Sequence, residues 1–107
     1  MTTQELQLVR DFLFQLVVDD NYHLAQEDLR DFCDAEHIPL PENNEKKKQI
    51  EILYVARRLE NLFNDPARIL QVKSVSRSLE RPLWTGQIVE NLAEIKKNLL
   101  TIIRTIA

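Results

Sequence analysis

The sequence holds a single glycine, Gly86, in 107 residues, where average usage predicts about seven. Glycine supplies positive φ angles cheaply, so tight hairpins, phosphate-cradling loops and strained nucleophile turns are poorly provided for. Cysteine is equally scarce. Cys33 stands alone, so no disulfide closes within the chain, and a reducing compartment, the cytoplasm, is the expected home. Long apolar runs are missing as well: FLFQLVV (12–18) and LLTIIRTIA (99–107) fall far short of the roughly 20 residues of a membrane span. The opening MTTQELQLVRD is polar and charged, unlike a secretory leader. The expectation is a soluble protein that makes no use of a membrane. Aromatic residues, at 7%, are too few for a platform that stacks nucleic-acid bases.

What the chain does contain reads as helix. An apolar content of 44% with 29% charged residues is ordinary for a globular protein, and the length suits one domain with one modest core. Thr2-Thr3-Gln4-Glu5 has capping-box spacing. Leu6, Val9, Leu13, Leu16 and Val17 then recur at three and four, which predicts a first helix over residues 3–18. Residues 24–38 predict a second, with Ala25, Leu29, Phe32 and Cys33 inward and Glu27 and Asp28 in the first turn, complementing the dipole. PLPENN is a connecting loop, because residues before proline avoid the α region. Asn43 or Asn44 caps a third helix over residues 44–63. Asp65-Pro66 is a strong start signal for a fourth, expected to run to about residue 79 and stop before Pro82. A fifth is expected from Thr85 to the terminus, along a heptad seam of Ile88, Leu92, Ile95, Leu99, Ile102 and Ile106. The fold predicted is an all-α, compact single-domain bundle of about five helices.

Charge is distributed unevenly. Residues 1–45 carry eleven acids against two bases, a balance of −9, and residues 46–107 carry twelve bases against six acids, a balance of +6, within a net −3. Such a split is either consumed inside the fold or steers a partner. The fourth helix is the sharpest instance, with no acid between Pro66 and Leu79. At 100° per residue, Lys73, Arg77 and Arg81 fall within a sector of about 80°, turned away from Val72, Val75 and Leu79. A solvated face, or a complement to the acidic half, is the plain reading. Yet like charges at i, i+4 repel by a few tenths of a kcal/mol when no acid intervenes. Lys73, Arg77, Arg81 and the nearby Trp84 are therefore the candidate partner-binding residues.

The fifth helix has more apolar width than one neighbour covers, since Val89, Leu100 and Ile103 flank its seam. Leu99, Ile102, Ile103 and Ile106 are accordingly the candidate residues for self-association with a second copy.

Motifs for chemistry are weak. Cys33 and His37 share a helical face at i, i+4, a spacing that suits two zinc ligands, but His23 in the preceding turn is the only other histidine, so either a symmetric dimer supplies two more ligands or Cys33 is simply a buried thiol near a helix end. Asp19-Asp20-Asn21 resembles the start of a calcium loop, yet Leu24 and Arg30 stand where that loop needs Gly and Glu. Arg30 and His37 have the R-x6-H spacing and so resemble the HEPN-type ribonucleases, small helical dimers, over those two residues alone. No Ser/His/Asp or Cys/His trio is nominated. The expectation is no metal, no cofactor and no catalytic residue.

A nucleic-acid reading is the alternative. The second and third helices would form a helix-turn-helix whose reader opens with Lys46-Lys47-Lys48, and Ser74, Ser76 and Ser78 would add phosphate donors on the fourth. The loop lacks glycine and is longer than such motifs use. The function predicted is a non-enzymatic, self-associating helical module for protein–protein interaction, its basic fourth helix facing an acidic partner.

Overall fold

Helix α3 organises the packing. A computed structural model describes residues 3–19 and 24–105, and among them the order is α1 (Thr3–Phe14), a π-helical turn (Gln15–Asp19), α2 (Gln26–Glu36), α3 (Asn44–Leu62), α4 (Pro66–Thr85) and α5 (Leu92–Arg104), with no strand. The Asn43 side chain accepts from the Lys46 N–H at 2.9 Å and starts α3, which satisfies one of the orphan donors of a helix N-terminus. Downstream, Ile50, Ile52, Leu53, Val55, Ala56 and Leu59 are all buried. They point around most of the helix because α2, α4, α5 and the π-helical turn all pack on it. The α3–α4 contact is the most extensive in the molecule.

The first helix forms where its periodicity places it, but its winding widens at Gln15. The π-helical turn carries Leu16 and Val17 into the core with Leu13. Leu6 and Val18 contribute side chains outside those the structure describes. In α2, Leu29 and Cys33 are buried, and Phe32 meets Tyr54 of α3 edge-on, with centroids 5.4 Å apart. Ala25, expected inward, is exposed at the N-cap. No side chain caps α2. Instead the buried Glu51 reaches across from α3 and accepts from the Leu24 N–H at 2.7 Å.

Two boundaries differ from expectation. Helix α4 runs through Pro82 to Thr85, because a proline one turn from the C-terminus removes a single ladder donor while the rest of the turn stays intact. Its stop is Gly86, left-handed at φ 74°, with Gly86 N–H bonded to the Leu83 carbonyl and Gln87 N–H to that of Pro82, a Schellman arrangement. Helix α5 accordingly begins at Leu92, leaving Ile88 exposed before it.

The Cα radius of gyration is 13.3 Å, close to the ~13 Å expected of one compact domain of this length. No helix among the described residues is long and apolar enough to cross a membrane.

Candidate interaction surface

The cations of α4 face outward. Lys73, Arg77 and Arg81 are exposed, and among the described residues none of them forms an ion pair. The acids exposed on α2 (Glu27, Asp28, Asp31 and Asp34) likewise form no ion pair among the described residues. The two halves of the charge distribution therefore do not neutralise each other through these groups. Arg68 is different: its guanidinium lies 5.5 Å from the Phe63 ring centroid and 3.9 Å from Asp65, so it belongs to the start of α4.

Continuation of α4 through Pro82 brings Trp84 into the same helix. At 100° per residue, Trp84 falls inside the sector of about 80° that holds Lys73, Arg77 and Arg81, and so does Leu70. Leu70 is 62% exposed and Trp84 51%. The outer face of α4 is thus a line some 21 Å long, apolar at both ends and cationic between. The indole N–H of Trp84 donates to the Glu36 carbonyl at 3.3 Å. That bond anchors the ring over the end of α2. One side of it borders a cleft of about 160 Å³ whose walls include Leu40, Pro41, Ile50 and Leu83. Lys46 and Glu42, paired at 3.7 Å, close its rim.

Beneath the stripe lies an ionic hub. Arg57 of α3 donates from Nε to Glu36 Oε1 at 2.8 Å and from Nη2 to Glu36 Oε2 at 3.2 Å, and it also pairs with Glu60 at 3.5 Å and with Glu80. One guanidinium thereby ties together α2, α3 and α4. Its hydrogen bond to Glu36 holds its pKa above the ordinary value, against the opposing effect of burial, and Glu80 adds to the rise. Ser76, buried, donates to Glu60 at 3.4 Å. Three carboxylates on one cation leave a local excess of negative charge, which Lys73 and Arg77 border across a shallow depression. Only the Arg57–Glu60 pair, at i, i+3 on α3, has a spacing that joins it in the sequence; Glu36 and Glu80 come from other helices and share none with Arg57.

The remaining candidates separate. Leu99 and Ile103 are fully buried and Ile102 nearly so. The surplus apolar width of α5 is absorbed by α1, the π-helical turn, α3 and α4, all of which pack against it. A charge placed at Ile103 would thus oppose folding before it touched any interface. Ile106 lies outside the described residues. Cys33 is buried, with its thiol pKa pushed up by desolvation. His37 is exposed one residue past α2, in the left-handed region at φ 58°, so the two do not form a pair on one helical face. Asp20, Asn21 and His23 fall outside the described residues, and among those described no three of His, Cys, Asp and Glu gather closely enough to hold a metal ion.

The groove-reading role sketched for the third helix meets a steric obstacle. Helix α3 is central and covered on most sides, and Lys46, Lys47 and Lys48 are partly buried. Two of the three α4 serines direct their hydroxyls inward or along the helix, Ser76 to Glu60 and Ser78 to the Ser74 carbonyl at 3.1 Å.

No protein-family model matches the chain, and no curated protein or solved structure matches it.

Proposed function

We propose that this chain is a non-enzymatic helical interaction module that docks an acidic protein surface on the outer face of α4. The observation that carries the reading is the unpaired, exposed line Lys73–Arg77–Arg81 ending in the half-exposed Trp84. These three exposed cations form no ion pair among the described residues, and an acidic partner pairs with them while covering apolar surface at Leu70 and Trp84. Rim charges of this kind govern association rate and partner choice, and an aromatic anchor carries a large share of the binding energy.

Trp84 is the only tryptophan, so its fluorescence reports directly on this face. The test titrates the protein with a synthetic helical peptide bearing Glu at three successive i, i+4 positions and a terminal Leu, and in parallel with a mixed-sequence DNA duplex. The peptide should perturb Trp84 emission and the duplex should do so less. In the variant Lys73→Glu/Arg77→Glu/Arg81→Glu, helix content should persist while the peptide signal disappears, because exposed charges contribute little to stability. Tighter binding of the duplex, with a steep salt dependence, would transfer the face to nucleic acid. No response to either ligand would leave a solvated stripe.

A further inference from the structure

We infer that the occupant of the α4 face is a second copy of this chain, arranged about a two-fold axis so that α4 of each copy lies on α2 of the other. This rests on the reading of α4 as a docking face and names its partner.

Three observations converge. First, α2 bears a stripe that is the counterpart of the one on α4. Glu27, Asp31 and Asp34 are exposed and fall within a sector of about 60°, opposite the buried Leu29 and Cys33. They span about 10 Å of helix, against about 12 Å from Lys73 to Arg81. Second, the C-terminal ends of α2 and α4 lie side by side, joined by the Trp84 indole N–H on the Glu36 carbonyl. Glu36, at the end of α2, and Glu80, on α4, both pair with Arg57 of α3. The two helices therefore flank the same side of α3 at this level, and each turns its charged stripe away from its own buried residues. Third, apolar ground lies between the stripes. Leu40, 56% exposed, lines the Trp84 cleft and also the hollow beside Asp31 and Asp34. The sequence of features across this side is thus acids, Leu40, Trp84, cations.

A surface with acids on one flank, cations on the other and an apolar centre is self-complementary under a two-fold rotation. The rotation lays acid on cation at both flanks and Leu40 and Trp84 near their own copies. Any other acidic partner would satisfy the α4 stripe but leave the α2 stripe unmatched. A second copy satisfies both at once. The leucines and isoleucines of α5 have no part in this contact, which moves self-association from the buried seam to the charged side.

The experiment is a charge swap read by light scattering and sedimentation. The wild type should show a mass that doubles with concentration and returns to the monomer value near 0.5 M NaCl, where the screening length falls to a few ångströms. Arg77→Glu/Arg81→Glu and Asp31→Lys/Asp34→Lys should each remain helical, and each should weaken self-association about tenfold or more. Mixed one to one, they should associate again, because the α4 of each meets an opposite charge on the α2 of the other. If either double variant fails to fold, Arg81→Glu and Asp34→Lys serve as a milder pair for the same mixture. A wild type that is monomeric near 1 mM overturns the inference, as does a mixture of folded variants that stays monomeric. Self-association untouched by both variants overturns it too, placing the contact elsewhere. In the first of these cases the peptide titration still decides whether α4 docks another acidic surface, so the two readings can fail separately.

Discussion

Arg57 is the residue on which the most charge converges. Replacing it with Ala would leave Glu36, Glu60 and Glu80 facing one another, partly buried, with no cation among them. The expected loss is about 2–3 kcal/mol, within the range for removing a charged hydrogen-bonding partner and below that for a wholly buried pair. Arg57→Lys should recover only part, since an ammonium cannot present a planar fork to two carboxylates. Urea midpoints of the two variants check this; equal midpoints for Arg57→Ala and wild type would make the hub a surface decoration.

Cys33 gives the molecule a pH dependence with a definite sign. Burial raises its thiol pKa, so the folded chain keeps the proton at a pH where the unfolded chain has released it. The stability tied to that proton is complete below about pH 9 and falls as pH rises through the raised folded value. Between pH 7 and pH 10 the wild type should therefore lose more stability than Cys33→Val does, the variant cancelling the background of lysines and tyrosines. An identical alkaline loss in both would show that the thiol ionises equally well when folded. The native thiol should also label slowly, and quickly in denaturant.

At the scale of elements, the helix ends carry the local strain. Both left-handed residues among those described sit just past a helix, His37 after α2 and Gly86 after α4. A side chain in that region costs roughly 1–2 kcal/mol, so His37→Gly should stabilise the protein by up to about 1 kcal/mol. Gly86→Ala should destabilise it by a similar amount. A new Cβ at Gly86 would sit 3.6 Å from Lys46 Nζ, an ordinary contact, so the penalty there is backbone conformation alone. Thermal melts with opposite shifts for the two variants are the expected result; equal shifts would mean that contacts, not φ, set the cost. Gln49 is strain of another kind, fully buried on α3 with neither amide oxygen nor nitrogen partnered among the described residues.

For the whole molecule, the polarity of charge is the organising fact. The −9 of residues 1–45 and the +6 of the remainder meet at the Arg57 hub through Glu36, while the exposed stripes of α2 and α4 stay unmatched. Association that favours the folded form makes the melting temperature depend on protein concentration. The wild type should therefore melt higher as concentration rises, and Arg77→Glu/Arg81→Glu should show a flat line. A flat line for both would speak against a folded dimer as the resting state.

The five helices and most of the core were legible in the chain. Leu13, Leu29, Cys33, Leu53, Leu59, Val72, Leu79 and Leu99 recur at helical spacing and are buried, because periodicity of apolar residues reports a face whatever that face meets. The cap at Asp65 was legible for a similar reason, being settled within three residues of sequence, and the cap of α3 was narrowed to Asn43 or Asn44, of which Asn43 makes the bond. Even the outward turn of Lys73, Arg77 and Arg81 followed from the wheel of a single helix. Tertiary structure alone decided what each face meets. It put the broad apolar side of α5 into the chain's own core, and it carried α4 past Pro82 so that Trp84 joined the cations. It also brought Glu36 and Glu80 onto Arg57, and Glu51 to the start of α2. The reason is one of range: propensity and periodicity act within a few turns, whereas Glu36 and Glu80 on Arg57, and Glu51 on the Leu24 N–H, join residues far apart in sequence, whose approach is set by how the bundle packs.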